Sequence, residues 1–385
     1  MAPVTALAGI DAHPHARAVL VPALEGMPAR VPSHAYLFHG PAGTGKRAIA
    51  RAFAAALLTD GARDPGAVAE KVARGTHPDL TWVTPSGAAE MLVGDIEEPV
   101  VAAATRTPFE GARRVFVVEG VDTMNDRAAN RMLKTLEEPP PFVHLVLLTD
   151  RREDVLPTIV SRCQMVRFDP LPPTRIAERL RELVEGLEPE RARACARLAG
   201  GDAGLAARIA GEEGAALRGG AEEFVRAALR GAAGEQRWTG LLEVAKGAGA
   251  AAGEAAEERM RGELELVPGK ERKRYEREGA DARRRMERRA RTQALDLTLR
   301  LSELWLRDVL CVAEGASECV YAVDRLGELT EDARGRDGET LRAGVELVQD
   351  TRLRLAVNVS EELALEALSY RLEQRLVVRQ GFVEQ

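Results

Sequence analysis

AYLFHGPAGTGKRAIARAFAAALL, residues Ala35–Leu58, decides the fold class. Its opening, AYLFHG, is a short apolar strand that runs into a glycine loop. Its second half, KRAIARAFAAALL (Lys46–Leu58), carries an Ala/Leu/Phe face at helical spacing. Between them, Gly40, Gly43, Gly45 and Lys46 form a phosphate-binding loop, G-x-x-x-x-G-K, which needs a final Ser or Thr and has Arg47 instead. Such a loop turns backbone N–H groups and a helix N-terminus toward phosphate oxygens, and the lysine adds a point charge.

Further along, DLTWVTP, RRVFVVEG and HLVLLTD are strand candidates. Their near-continuous Val, Leu and Phe runs suit parallel strands buried on both faces. NDRAANRMLKTLEE (Asn125–Glu138) lies between the last two and reads as a helix closed by Pro139, Pro140 and Pro141. Strand, phosphate loop, helix, strand, helix, strand is the order of a nucleotide-binding α/β domain, expected to span 1–168 and to end at DPLPP. Beyond Pro173 the chain reads as all-α. A small three-helix domain is expected at 169–212 and a larger helical domain at 213–385, with a charged insertion at about 246–292.

Composition narrows the class. The 385 residues are 45% hydrophobic, 30% charged and only 4% aromatic, which favours a multidomain globular protein rich in helix. No apolar run approaches the ~20 residues that span a bilayer. The start lacks the basic and apolar regions of a secretory signal. Cys163, Cys195, Cys311 and Cys319 are scattered with no CxxC pair, against a disulfide framework or zinc site. The cytosol is the expected compartment.

Hydrolysis of a nucleotide at the loop needs a metal ligand after the lysine and an acid ending a second strand. It also needs a neighbouring carboxylate for the attacking water. The second strand is Val115–Val118. Glu119 is within reach of a hydrated metal, but Gly120 stands where the water-activating acid belongs, and Asp122 comes two residues later. Arg47 and Gly120 are independent lesions, so intrinsic ATPase activity is expected to be absent. ATP or ADP held without hydrolysis remains open.

RTPFEGARRVFVVEGVDTMNDRAANRMLKTLEEPPPFVHLVLLTDRREDVLPTIVSRCQMVRF (Arg106–Phe168) resembles the core of the clamp-loader family of AAA+ proteins. MLKTLEEPP (Met132–Pro140) and VLPTIVSRC (Val155–Cys163) carry the resemblance most sharply, and the degraded ATPase motifs liken the chain to the non-hydrolysing kind of subunit. HAYLFHGPAGTGK near the start, with WLRDVL and LRLAVNVSEELALEAL near the end, extends it along the chain, the latter two resembling the collar through which such subunits form a ring. The family implies an AAA+ (RecA-like) domain, a helical lid and a helical collar. It also implies other loader subunits as partners, with a sliding clamp and primed DNA reached through the complex, and no membrane.

In this family Ser-Arg-Cys, here Ser161, Arg162 and Cys163, places an arginine at the subunit boundary, against the γ-phosphate bound by a neighbour. A guanidinium supplied in trans neutralises charge that develops in phosphoryl transfer. Thr149 matches the sensor-1 polar position, and the second sensor arginine falls near Gly204, so that contact is missing. The four-cysteine zinc module of many relatives has no cysteine here. His77 alone cannot hold a metal, and no zinc is expected.

Lys270–Arg291 holds eleven Lys/Arg against five acids, in a chain whose net charge is −6. Tyr275 is its only aromatic residue, so base stacking is not indicated. The stretch reads as a solvated charged helix or insertion in preference to a DNA contact. The leading reading is a subunit that supports ATP-dependent clamp loading and donates Arg162. The alternatives are an active AAA+ ATPase subunit, which needs Ser/Thr at 47 and an acid at 120, and a nucleotide-independent adaptor.

Overall fold

The computed structural model describes residues 7, 9–25, 32–86, 90–232, 238–264, 272–355, 357 and 359–377. The chain forms two compact units, one of residues 1–172 with 201–204, the other of residues 173–200 with 205–385.

The first unit is built on a parallel sheet of five strands: β1 (Ala35–His39), β2 (Leu80–Val83), β3 (Arg114–Glu119), β4 (Val143–Thr149) and β5 (Gln164–Arg167). Their spatial order is β2-β3-β4-β1-β5, so β1 sits between β4 and β5, and its C-terminal end opens beside theirs. This parallel sheet with a glycine loop after β1 is the nucleotide-binding α/β arrangement that the strand and loop order of the sequence led one to expect. Alternation along each strand divides the core. Tyr36, Phe38, Val115, Val117, Val146 and Leu148 face helices α1 (Pro14–Glu25), α2 (Lys46–Thr59) and α3 (Pro65–Arg74). On the other face, Leu37, Phe116, Val118, Leu145 and Leu147 meet Ile96, Val100 and α4 (Asp126–Glu137). All seven residues of β4 are buried, which is why that strand reads as an unbroken apolar run.

Local signals set the ends of these helices. The side chain of Asn125 caps α4 by accepting from the Ala128 N–H, and Asp64 does the same for α3 from Ala67. Asp79 is fully buried and accepts from the Phe109 and Glu110 N–H groups, which fixes the loop before β3.

The second unit is helical: α5 (Pro173–Leu183), α6 (Pro189–Leu198), the main part of α7 (Ala203–Ala210), α8 (Glu212–Leu229), α9 (Trp238–Leu264), α10 (Arg272–Ala313), α11 (Leu326–Ala333), α12 (Gly338–Leu355) and α13 (Glu361–Leu376). Of the expected charged insertion, residues 265–271 lie outside the described residues; the rest falls on the later part of α9 and the first half of α10, which run antiparallel. Gly249 lies against Glu287 and Arg291, Gly253 against Arg283 and Glu287, and Gly279 against Met260. Close backbone approach replaces large apolar side chains there. At the other end of α10, Leu295, Leu299, Leu301, Trp305, Leu306 and Val309 are buried.

Two buried polar groups of this unit are firmly paired. Arg218 donates to both Asp324 oxygens at 2.9 and 2.8 Å, and Asp308 accepts from the Tyr321 and Ala322 N–H groups.

Candidate nucleotide site and exposed arginine

The glycine loop lies where β1 feeds α2, and Gly40, Gly43 and Gly45 all have positive φ. Lys46 is only 6% exposed, and its charge is spent inside the protein. Its Nζ donates to the carbonyls of Gly40 and Pro41, each at 2.6 Å, and pairs with Asp150 at 2.7 Å. Thr44 Oγ1 donates to the Pro41 carbonyl at 3.0 Å. The carbonyls around Lys46 therefore face inward and are bridged by its ammonium group.

Residues 201–204 close against the loop. The Ala203 N–H donates to the Gly43 carbonyl at 3.1 Å, and the Asp202 carboxylate lies over the Gly43 Cα, where any added Cβ would overlap it. Gly43 has φ 69° as well, so a side chain is doubly disfavoured at that position. An anion thus already sits at a loop whose chemistry suits anions.

Arg47 stands in the place of the expected hydroxyl, and its Nε donates to Glu119 Oε1 at 2.7 Å. The same oxygen accepts from Trp82 Nε1. The carboxylate at the end of β3 is therefore neutralised by a fixed guanidinium. These residues do not fit a Mg²⁺ ion: the ligand position is cationic and its carboxylate is taken. Among the described residues no group of three or more His, Cys, Asp or Glu could hold a metal. Gly120 follows with φ 65°, and a Cβ there would lie 3.0 Å from Pro85 Cγ. The backbone itself asks for glycine where a water-activating acid would be needed.

Thr149 ends β4 and donates from Oγ1 to Asp122 Oδ1 at 2.8 Å while accepting from the Arg151 N–H at 3.0 Å. The Arg151 guanidinium also reaches Asp122. Asp122 is thus a structural anchor for the ends of β3 and β4.

Arg162 is placed elsewhere, just after the short helical turn Pro157–Val160. It is exposed, with its side chain 34% accessible. Nη2 donates to Glu137 Oε1 at 2.5 Å, and Nη1 donates to the Thr158 carbonyl at 2.9 Å and to Ser161 Oγ at 3.3 Å. Ser161 itself donates to the Thr158 carbonyl. Cys163 is turned inward, and burial pushes its thiol up to about 12, so it stays protonated at neutral pH.

The sequence-derived residues therefore fall into two groups. Gly40, Gly43, Gly45, Lys46, Arg47 and Glu119 come together at the loop, with Thr149 at the end of the neighbouring strand. Ser161, Arg162 and Cys163 form a separate exposed feature. Asp150, Trp82, Asp202 and Glu137 complete these sites but were not singled out by sequence reasoning. Trp82, Asp150 and Glu137 sat in quoted stretches (DLTWVTP, HLVLLTD and MLKTLEEPP), and nothing marked them as partners of Glu119, Lys46 and Arg162.

Comparison with known proteins supports the same direction. Residues 25–172 match the family described as DNA polymerase III, delta subunit. DNA polymerase III subunit delta' of Pseudomonas aeruginosa is 38% identical over 188 residues, 47% of this chain and 56% of that protein. Its counterpart in Bacillus subtilis is 34% identical over 172 residues, 43% of this chain and 50% of that protein. The chain thus spans about half the length of these curated relatives. A solved DNA polymerase III gamma-subunit-related protein of Thermotoga maritima is 19% identical, with a TM-score of 0.46 over 89% of this chain and 95% of its own. Residues 25–172, with their glycine loop and Ser-Arg-Cys turn, thus match the DNA polymerase III delta-subunit family model and are similar to the curated delta' subunits.

Proposed function

We propose that this chain acts as a delta-prime-type subunit of the DNA polymerase III clamp loader, hydrolysing little or no ATP itself and offering Arg162 to a nucleotide held by a neighbouring subunit. Its partners are the other subunits of a hetero-oligomeric ring, and through that ring the sliding clamp and primed DNA. The observation that carries the reading is the Arg47–Glu119 pair at 2.7 Å, which places a fixed cation against the one carboxylate positioned for a metal–nucleotide complex. Gly120 offers no carboxylate at the position from which the attacking water would be activated.

Arg162 is suited to the other role. Its guanidinium is exposed, and Glu137, Thr158 and Ser161 hold it through three hydrogen bonds. That support limits how much side-chain freedom is lost when it meets a phosphate. Charge that grows on a transferred phosphoryl group is stabilised by a planar donor that spans two oxygens.

A second reading, a nucleotide-independent adaptor, is favoured by the inward turn of Lys46 and by Asp202 over Gly43. ATP or ADP bound without hydrolysis would have to displace both. Thermal melting with and without ATP separates the two readings: a rise that Lys46→Ala abolishes means a nucleotide is held, and no rise means an adaptor loop.

The experiment for the main proposal is ATP turnover by the reconstituted ring with parent, Arg162→Ala and Arg162→Lys chains, with assembly checked by gel filtration. Alanine should lower turnover by roughly 10³-fold or more where the arginine is essential, with the ring intact, and lysine should rescue poorly. Unchanged turnover in an intact Arg162→Ala ring would overturn the proposal.

A further inference from the structure

The charged stretch that the loader reading leaves without a role is an ordered helix. Arg277, Arg284, Arg285, Arg288 and Arg289 are all exposed on α10. No described carboxylate pairs with any of them. Their neighbours behave differently: Arg283 pairs with Glu257 at 2.5 Å and Arg291 pairs with Glu361. Glu287 lies against Gly249 and Gly253 of α9, with its Oε2 beside Gly253.

Helical geometry arranges the free arginines in rows. Arg277, Arg284 and Arg288 fall within a narrow stripe, and Arg285 and Arg289 form the adjacent row one turn apart. From Arg277 to Arg288 the stripe runs about 16 Å along the axis. Side by side and unneutralised, these guanidinium groups repel one another, a cost that an isolated solvated helix has no reason to keep. The surrounding chain is acidic, since the whole carries −6 despite a surplus of six positive charges in Lys270–Arg291. The arm is therefore a basic stretch in an otherwise acidic chain.

We propose that the arginine face of α10 between Arg277 and Arg289 binds the phosphate backbone of duplex nucleic acid. A rigid rod of cations at helical-turn spacing complements a regular array of phosphates. Tyr275 is the only aromatic residue in Lys270–Arg291, so the arm lacks the stacking platform that single strands require. The contact would carry no base specificity, and it stands apart from whether Arg162 serves a neighbouring nucleotide.

The test is binding of the full-length chain to a mixed-sequence blunt DNA duplex across a potassium chloride series. Two variants are compared with the parent: one with Arg284, Arg285, Arg288 and Arg289 all changed to Gln, and one with the same four changed to Lys. The parent should bind with steep salt dependence. The Gln variant should lose at least ~10-fold in affinity at low salt, and its log–log salt slope should flatten by about 3 to 4. The Lys variant should keep affinity and slope, because phosphate is met as charge, and circular dichroism should be the same for all three. The proposal is overturned by absence of parent binding, by an unchanged Gln variant, or by a Lys variant as weak as Gln. Tighter, equally arginine-dependent binding of a single-stranded oligonucleotide, or arginine-dependent binding of an acidic protein with duplex binding unaffected, would overturn it too.

Discussion

Position 47 shows how one side chain can occupy a carboxylate that a metal would otherwise need. Arginine there is a good helix former and reaches Glu119, so the change that removes a metal ligand also supplies a partner for the carboxylate left behind. Gly120 is different, because its φ of 65° and the nearby Pro85 ring make glycine the residue the backbone tolerates best. The two positions cannot be repaired one at a time. Arg47→Thr should leave ATP hydrolysis at background in a phosphate-release assay, since Gly120 still offers no carboxylate to orient water. Turnover approaching ~1 s⁻¹ in this single variant would show that Gly120 is not limiting. Glu137 makes the complementary point: it is an ordinary acid of a helix terminus in sequence, and only the fold brings it to Arg162.

At the scale of elements, the helical unit is held together by contacts that composition does not announce. Arg218 on α8 is nine-tenths buried, bonded to both oxygens of Asp324 and paired with Glu222 at 2.8 Å. Burial raises the Glu222 carboxyl, against the pull of Arg218, so the ionised form of Glu222 leans on the arginine. Arg218→Ala should therefore cost about 3–5 kcal/mol in urea unfolding, because it leaves buried carboxylates uncompensated. A loss below about 1 kcal/mol would mean water takes over the role of the guanidinium. The paired halves of α9 and α10 follow another logic, in which glycines allow close approach and large apolar residues are absent. Replacing residues 253–283 by a short turn should leave a single cooperative transition with a midpoint near the parent's, as followed by circular dichroism. A broadened transition would place the arm in the unit's core.

For the whole molecule, stability should respond to acid through a residue far from the loop. His144 is fully buried in β4, where Nδ1–H donates to the Ser33 carbonyl and Nε2 accepts from Arg113, each at 3.1 Å. Burial above all, with Arg113 and His34 nearby, brings its ionisation down from 6.5 to about 4. The folded protein thus holds this imidazole neutral while the unfolded chain protonates it near pH 6.5. Stability from this group is complete above that pH and falls away as pH drops toward 4, by about 3 kcal/mol at the lower limit. Urea unfolding of the parent and of His144→Asn at pH 7 and pH 5 should show a steeper loss in the parent. Parallel losses would mean that His144 is protonated in the folded state.

The amino-acid sequence by itself determined the things that local chemistry and periodicity control. Val- and Leu-rich runs suit strands buried on both faces, a glycine loop between strand and helix suits phosphate binding, and the family resemblance of the Ser-Arg-Cys turn after VLPTIV singled out its arginine. It did not reveal helix α1, with Pro22 inside it, or the short strand β5, whose residues are mostly exposed and carry no alternation. Nor could it show the partners that give each site its meaning. Asp150 on Lys46, Asp202 over Gly43, Glu119 on Arg47 and Glu137 on Arg162 are separated in sequence by 25 to more than 100 residues. Such pairings depend on how β1, β3 and β4 align and on where the chain returns, so only tertiary structure decided that the loop's charges are spent within the protein while Arg162 faces outward.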